Sequence, residues 1–323
     1  MSGCNLFAEL FDSIDGVDNV LKEVNASPVL KNPRLLFVRF CEHKPQLNEF
    51  VEVISDQLVN YVIPLRKRRE AIAQSVNSRT GASMSALTRL NREAVKLLVK
   101  FSEKNKARYG EVGELISYVV ALRFLNAVQL GSKIALKTSS EMLVHGVDGL
   151  HARFETDGTM TFFLLESKIK PTATDATREF YSSVSKYEGD RAAQLNELRL
   201  INDLSNLDEL EGEQRNAAKA YFNLYSGSDS SLKRRELHVG SLVVSEESYL
   251  NVLPRDSEAP ITIHEEHFES LYKAKHEKFL TNAMTQARAA KVDPGGCVFF
   301  LIAVPDIDEL KRAFAETNNG HVR

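Results

Sequence analysis

Tryptophan is absent from this chain, and cysteine occurs only three times in 323 residues. Cys4, Cys41 and Cys297 are widely separated and form no Cys-x-x-Cys pair. That spacing excludes a disulfide framework and a zinc-finger pattern, and it fits a reducing compartment. No window approaches the roughly eighteen consecutive apolar residues of a membrane-crossing helix, so no membrane association is expected. Met1 to Leu10 lack a basic stretch followed by an apolar run, so no signal peptide is read and a cytoplasmic protein is expected. An excess of positive charge is missing too: 41 Lys and Arg stand against 44 Asp and Glu, for a net charge of −3. A protein that coats DNA by bulk charge is thereby disfavoured, whereas an enzyme with a local basic groove is not, because the field that matters is local.

What is present is an ordinary globular composition, 43% hydrophobic and 26% charged, in a chain long enough for one large domain or two modest ones. Arg34 to Phe40 reads as a strand. Pro45 to Val62 reads as a helix with Phe50, Val51, Ile54, Leu58 and Val62 on one stripe. Pro64 ends or kinks it, the basic run Arg66 to Arg69 follows, and Gln74 to Ser85 reads as a loop. Ser85 caps a helix through Phe101 with Leu87, Leu90, Ala94, Leu97 and Leu98 inward. A strongly apolar helix is expected from Glu111 to about Leu130, then a strand over Lys133 to Lys137 and a hairpin from Val147 to Lys170. Thr172 to Leu200 and Glu265 to Lys291 carry helical patterns, Leu237 to Val244 and Cys297 to Val304 are apolar strands, and Asp306 to Thr317 is a closing helix. The pattern predicts an α/β fold with a mixed sheet flanked by helices, an N-terminal α/β region over 1–105 and a second domain over 106–323.

The hairpin carries the chemistry. Phe162 to Leu165 form an apolar strand that runs into Glu166-Ser167-Lys168, and a period of two places Glu166 and Lys168 on one face. Asp157-Gly158 is the strongest short turn signal in the chain. A two-residue loop would set Asp148 opposite Ser167. A three-residue loop (Thr156-Asp157-Gly158, Gly158 left-handed) sets it opposite Glu166, with Cβ atoms roughly 5 Å apart. The second register also gathers Leu150, Ala152, Phe154, Met160, Phe162 and Leu164 on one face, so the apolar pattern selects it and predicts a positive φ at Gly158.

Two facing carboxylates repel unless a cation lies between them. Asp148, Glu166 and the Ser167 carbonyl would make a hard oxygen site suited to Mg²⁺ or Mn²⁺ and not to zinc. Such an ion would activate water and offset phosphate charge, with Lys168 orienting the nucleophile. Glu114 shares the core-facing stripe of Tyr118, Ala121, Leu122 and Leu125, where a carboxylate needs a partner, and is a candidate third acid beside Glu111. Lys170 and Arg178 are placed to contact substrate, while the run Arg66 to Arg69 and Lys233-Arg234-Arg235 offer further cations. The bland alternatives are stated alongside. Glu-x-Lys recurs as Glu42-His43-Lys44 and Glu309-Leu310-Lys311, a surface pair contributes at most about 1 kcal/mol, Glu114 could simply favour a helix N-terminus, and His145 and His151 read as structural.

Glu114, Gly146-Val147-Asp148-Gly149 and Glu166-Ser167-Lys168 together resemble the PD-(D/E)xK nuclease superfamily, with Val147 where a proline is expected. The order helix, strand, Asp-strand, ExK-strand, helix matches its restriction-endonuclease-like core. More narrowly the chain looks like the HamA family, the nuclease subunit of the Hachiman anti-phage system. That likeness rests on Gly113-Glu114, on His145 to Asp148, on the Glu-Ser-Lys strand and on the closing strand and helix, and it covers most of residues 105–323. The resemblance implies a DNA substrate, catalytic and metal roles for Glu114, Asp148, Glu166 and Lys168, and a superfamily-2 (HamB-like) helicase partner that restrains the nuclease. It also implies DNA cutting with little sequence specificity. A restriction endonuclease and a catalytically quiet regulatory subunit on a nuclease fold are the competing readings.

Overall fold

A computed structural model of the chain describes residues 14–24, 32–76, 84–104, 110–132, 147–192, 194, 234–251, 253, 260 and 262–319. Seven strands form one sheet in the order β1-β2-β9-β8-β7-β6-β5. They are β1 (Leu21–Glu23), β2 (Arg34–Val38), β5 (Val128–Ser132), β6 (Gly149–Phe154), β7 (Met160–Lys170), β8 (Arg234–Ser245) and β9 (Cys297–Val304). The short strands β3 (Phe40–Cys41) and β4 (Lys44–Pro45) make a separate pair. Strands β2, β9, β8 and β7 run parallel to their neighbours, while β1 at one end and the β5-β6-β7 meander at the other are antiparallel. The expected mixed α/β sheet is therefore observed, and β1 and β2 share it with the hairpin across residue 105.

Helices cover both faces. α1 (Val17–Val20), α2 (Leu47–Ser55), α3 (Leu58–Val62), α4 (Leu65–Val76), α5 (Ser85–Lys104) and α6 (Gly110–Leu125) precede the hairpin, and α7 (Ala173–Gly189), α8 (Ile263–Lys275), α9 (Phe279–Ala290) and α10 (Ile307–Asn319) follow it. Helix α6 packs where Gly113 meets Ser167 and Phe124 meets Phe300. On the opposite face Phe180 of α7 and Phe279 of α9 close over Phe299, and Phe268 of α8 over Phe37. Because α6 lies between the sheet and α2 and α3, it is buried on almost every side, which is why its sequence is apolar all round. No helix among the described residues is long and apolar enough to cross a membrane.

Several boundaries move for identifiable reasons. The helix expected over Pro45 to Val62 splits into α2 and α3, because Gln57 N turns back to Ile54 O three residues away. Its predicted stripe holds, with Phe50, Val51, Ile54, Leu58 and Val62 all buried. The Arg66 to Arg69 run belongs to α4, which starts directly after Pro64. The apolar helix from Glu111 stops at Leu125, not Leu130. Asn126 adopts φ 52, a left-handed stop, and Val128–Ser132 pairs with β6 instead. A buried helix and a buried strand share an apolar run, so periodicity alone cannot part them. The segment Glu265 to Lys291 is two helices, α8 and α9. The strand expected over Lys133 to Lys137, His145 and Gly146 lie outside the described residues.

The hairpin forms in the three-residue register. Phe154 pairs with Met160 and Gly149 with Leu165, Glu155 N bonds Thr159 O at 2.8 Å, and Gly158 has φ 80. Leu150, Ala152, Met160, Phe162 and Leu164 pack together with Val128, Leu130, Val147 and Leu65, and Phe154 joins them from the edge. Nothing lies within 4 Å of where a Cβ on Gly158 would stand, so substitution there meets only backbone strain. Gly158→Ala is expected to lower stability by about 1–2 kcal/mol, and Gly158→Asn by less, in urea unfolding. Equal stability of Gly158→Ala and wild type would contradict the left-handed turn.

Candidate active site

Strand β7 outruns β6 by several residues, and the site lies where the partner strand ends. The last ladder bond on this side is Asp148 N to Leu165 O at 2.8 Å. Beyond it Ser167 N has no β6 carbonyl to meet. Asp148 Oδ2 takes that place, accepting from Ser167 N at 2.8 Å and from Ser167 Oγ at 2.9 Å. Asp148 therefore ends the ladder on Leu165 with its carboxylate on Ser167, and the pairing with Glu166 expected from the loop length is not among the strand partners. Glu166 Oε1 accepts from Lys168 Nζ at 2.6 Å, and both side chains are largely shielded from water. The carboxylate and ammonium share one face as their spacing predicted.

Helix α6 brings the other acids. Glu111 and Glu114 are buried at 4% and 6% exposure, and Asp148 at 7%. The helix can approach β7 only because residue 113 is glycine. A Cβ there would stand 3.0 Å from Ser167 Oγ, 3.2 Å from Ser167 Cβ and 3.3 Å from Ile169 Cδ1. Alternation along β7 sends Ser167 to the α6 face and Glu166 with Lys168 to the face covered by α7, whose Phe180 abuts Gly240, the β8 neighbour of Glu166. Glu114 and Glu166 therefore approach β7 from opposite faces, with the Asp148 carboxylate at the strand edge.

A residue that sequence reasoning missed links these groups. Tyr61 of α3 donates its hydroxyl to Glu114 Oε2 at 2.9 Å. Burial first, and then the charges of Glu114, Asp148 and Glu111, push its phenol well above the usual tyrosine range. It therefore stays protonated and available as a donor. Three carboxylates of the candidate site thus surround one phenol. Tyr118 of α6 packs against Tyr61 with centroids 5.4 Å apart and against His151 at 5.8 Å. His151 is fully buried, its pKa is lowered to about 3 by burial, and neither ring nitrogen has a hydrogen-bond partner among the described residues. It is neutral and part of the wall, as the structural reading of this histidine expected.

Lys170 and Arg178 lie at the outer end of the site. Lys170 Nζ pairs with Glu179 of α7 at 2.5 Å, and Arg178 with Asp175 at 2.6 Å. Both pairs are open to solvent and weak enough to be exchanged for a phosphate. The donor set of Asp148, Glu166, Glu114 and a Ser167 carbonyl is hard oxygen throughout. In kind and charge these residues fit Mg²⁺ or Mn²⁺. Among the described residues, however, no three His, Cys, Asp or Glu groups stand close enough together to hold an ion.

A seven-stranded mixed α/β sheet flanked by helices is consistent with a nuclease-like α/β core. The family model of HamA matches residues 17–317, nearly the whole length, and the chain belongs to the HamA family. No curated protein matches it.

Tyr61→Phe keeps the ring packing and deletes the donor to Glu114. It is expected to destabilise the protein by about 1–3 kcal/mol in thermal or urea unfolding, because a buried carboxylate loses a hydrogen bond. An unchanged stability would mean that the Tyr61–Glu114 bond holds nothing in place.

Proposed function

We propose that this chain is a metal-dependent DNA endonuclease, the effector of a two-component anti-phage complex with a superfamily-2 helicase. One observation carries the reading: where the β6–β7 ladder ends, the Asp148 carboxylate is seated on Ser167 and the adjacent Glu166 carboxylate holds Lys168. Membership of the HamA family supports a place in antiviral defence. The helicase partner and the DNA substrate come from the family resemblance, and the cytoplasmic location from the cysteine pattern.

In this reading Mg²⁺ or Mn²⁺ would be held from among Asp148, Glu166, the Ser167 carbonyl and Glu114, and since Glu114 and Glu166 lie on opposite faces of β7 they would have to move to share one ion. The bound ion supplies a water of lowered pKa and offsets charge on the scissile phosphate. The protein's own part is positional. Ser167 fixes the Asp148 carboxylate through two hydrogen bonds, and Tyr61 fixes that of Glu114. Lys168, held beside Glu166 on the same face, is the cation within reach of a phosphate oxygen as negative charge develops there. Lys170 and Arg178 exchange Glu179 and Asp175 for the substrate backbone. Cutting with little sequence specificity follows if contacts are to phosphates and not to base edges.

Supercoiled plasmid incubated with Mg²⁺, with and without the helicase subunit, provides the test. Wild type is expected to nick and degrade it. Glu166→Ala, Asp148→Asn and Lys168→Ala are each expected to lose about 10²-fold or more, the scale of removing one preorganised electrostatic group. Equal cutting by all four proteins would remove the site assignment.

A further inference from the structure

The basic run that stands out in the sequence, Arg66 to Arg69, is largely occupied within the fold. Arg66 pairs with Glu70 at 3.1 Å and Lys67 with Glu93 at 2.8 Å. Arg68 is buried and donates to Ile63 O and to Asn60 Oδ1. A second set of cations, scattered in sequence, is not occupied. On α5 the buried side consists of Ala86, Leu90, Ala94, Val95 and Leu98. Arg89, Arg92 and Lys96 are exposed at i, i+3 and i+7, which aligns them along the outer surface of the helix. None of the three makes an ion pair or hydrogen bond with any described residue. The acid interposed among them, Glu93, is engaged by Lys67 from the neighbouring helix.

We propose that Arg89, Arg92 and Lys96 form a contact stripe for the phosphate backbone of DNA. The inference rests on the nuclease reading for the identity of the ligand and adds where that ligand is gripped. Three features favour a phosphate backbone over a merely solvated helix face. The three cations and Glu93 line, with Leu97, a cavity of about 330 Å³, so the charges surround a hollow. The stripe extends about 10 Å along the helix axis at 1.5 Å per residue. That length is enough to reach neighbouring phosphates of one strand. The concentration of charge is also local, because the whole chain carries −3. The stripe is tied to the acidic cluster as well: α5 packs on α3, the helix that delivers Tyr61 to Glu114. DNA held along α5 would thus be registered against the element that orients one of the proposed site acids.

Salt dependence of binding tests this separately from cleavage. Full-length protein carrying Glu166→Ala is titrated, without divalent metal, against a fluorescein-labelled 20-base-pair duplex by anisotropy between 50 and 200 mM KCl. Adding Arg89→Ala, Arg92→Ala and Lys96→Ala is expected to flatten the slope of log K against log [salt] by about 2.7, or about 0.9 for each single substitution. The charge-preserving pair Arg89→Lys and Arg92→Lys is expected to keep the original slope, and it guards against a triple variant that fails to fold. An unchanged slope in the triple variant, or no salt-dependent binding by the parent, overturns the proposal. Loss of helicase association with an unchanged DNA slope also overturns it, and makes the stripe a protein-docking surface. Plasmid cleavage by the chain without Glu166→Ala separates the two readings. Cleavage with an unaltered slope removes only the stripe, and a flattened slope without cleavage removes only the nuclease.

Discussion

Everything at the site depends on the register of one hairpin. With Thr156-Asp157-Gly158 as the loop, Leu150, Ala152, Phe162 and Leu164 fall on one face, and the ladder ends with Asp148 N on Leu165 O and its carboxylate on Ser167. A slip of one residue would turn Leu150, Ala152, Phe162 and Leu164 to the other side of the sheet. Both faces of β7 are covered, so the cost of a slip is the lost packing of Leu150, Phe162 and Leu164 against Val128, Leu130 and Leu65. Hydrophobic burial therefore enforces the geometry of a polar site that it does not itself touch. The left-handed glycine permits that register, and the missing β6 carbonyl beyond Asp148 gives its carboxylate a fixed seat on Ser167.

The second constraint is charge. Glu111 and Glu114 sit on the most deeply packed helix of the described fold, and Asp148 lies close enough that all three act on Tyr61. Like charges gathered in a low-dielectric interior are costly unless donors or cations answer them. The fold answers in part, with a phenol on Glu114, a backbone amide and hydroxyl on Asp148, and an ammonium on Glu166. Each acid is held by a different donor, which keeps them oriented while they stay apart. A protein that needed only stability would more simply place apolar residues at these positions, so the burial of Glu111, Glu114 and Asp148 is the physical argument for a polar role.

The hairpin was legible from the sequence because its signals are local: a turn dipeptide, strict alternation and an apolar face. Strands β8 and β9 were legible as short continuous apolar runs buried on both faces, with Cys297 to Val304 found to the residue. The end of α6 was not, since its apolar run continues unbroken into β5 and only the left-handed Asn126 marks the change. Tyr61 was invisible, because its partner Glu114 is 53 residues away on another helix and nothing in its own neighbourhood signals a hydrogen bond. The basic residues show the reverse error. Four adjacent cations attract notice, yet they are engaged within the fold, whereas the i, i+3, i+7 spacing of Arg89, Arg92 and Lys96 becomes conspicuous only once α5 has an inside and an outside.

Direct titration of the full-length chain with Mn²⁺, following the loss of the free-ion signal by electron paramagnetic resonance, tests the central claim most closely. It reads the acidic site itself, with no need for DNA, a helicase or release from restraint. Wild type is expected to bind Mn²⁺, and Asp148→Asn and Glu166→Gln, with circular dichroism unchanged, are expected to weaken that binding by about tenfold or more, as loss of a metal-ligand position does. No binding by wild type, or equal binding by wild type and both variants, would contradict a metal-dependent site at Asp148 and Glu166.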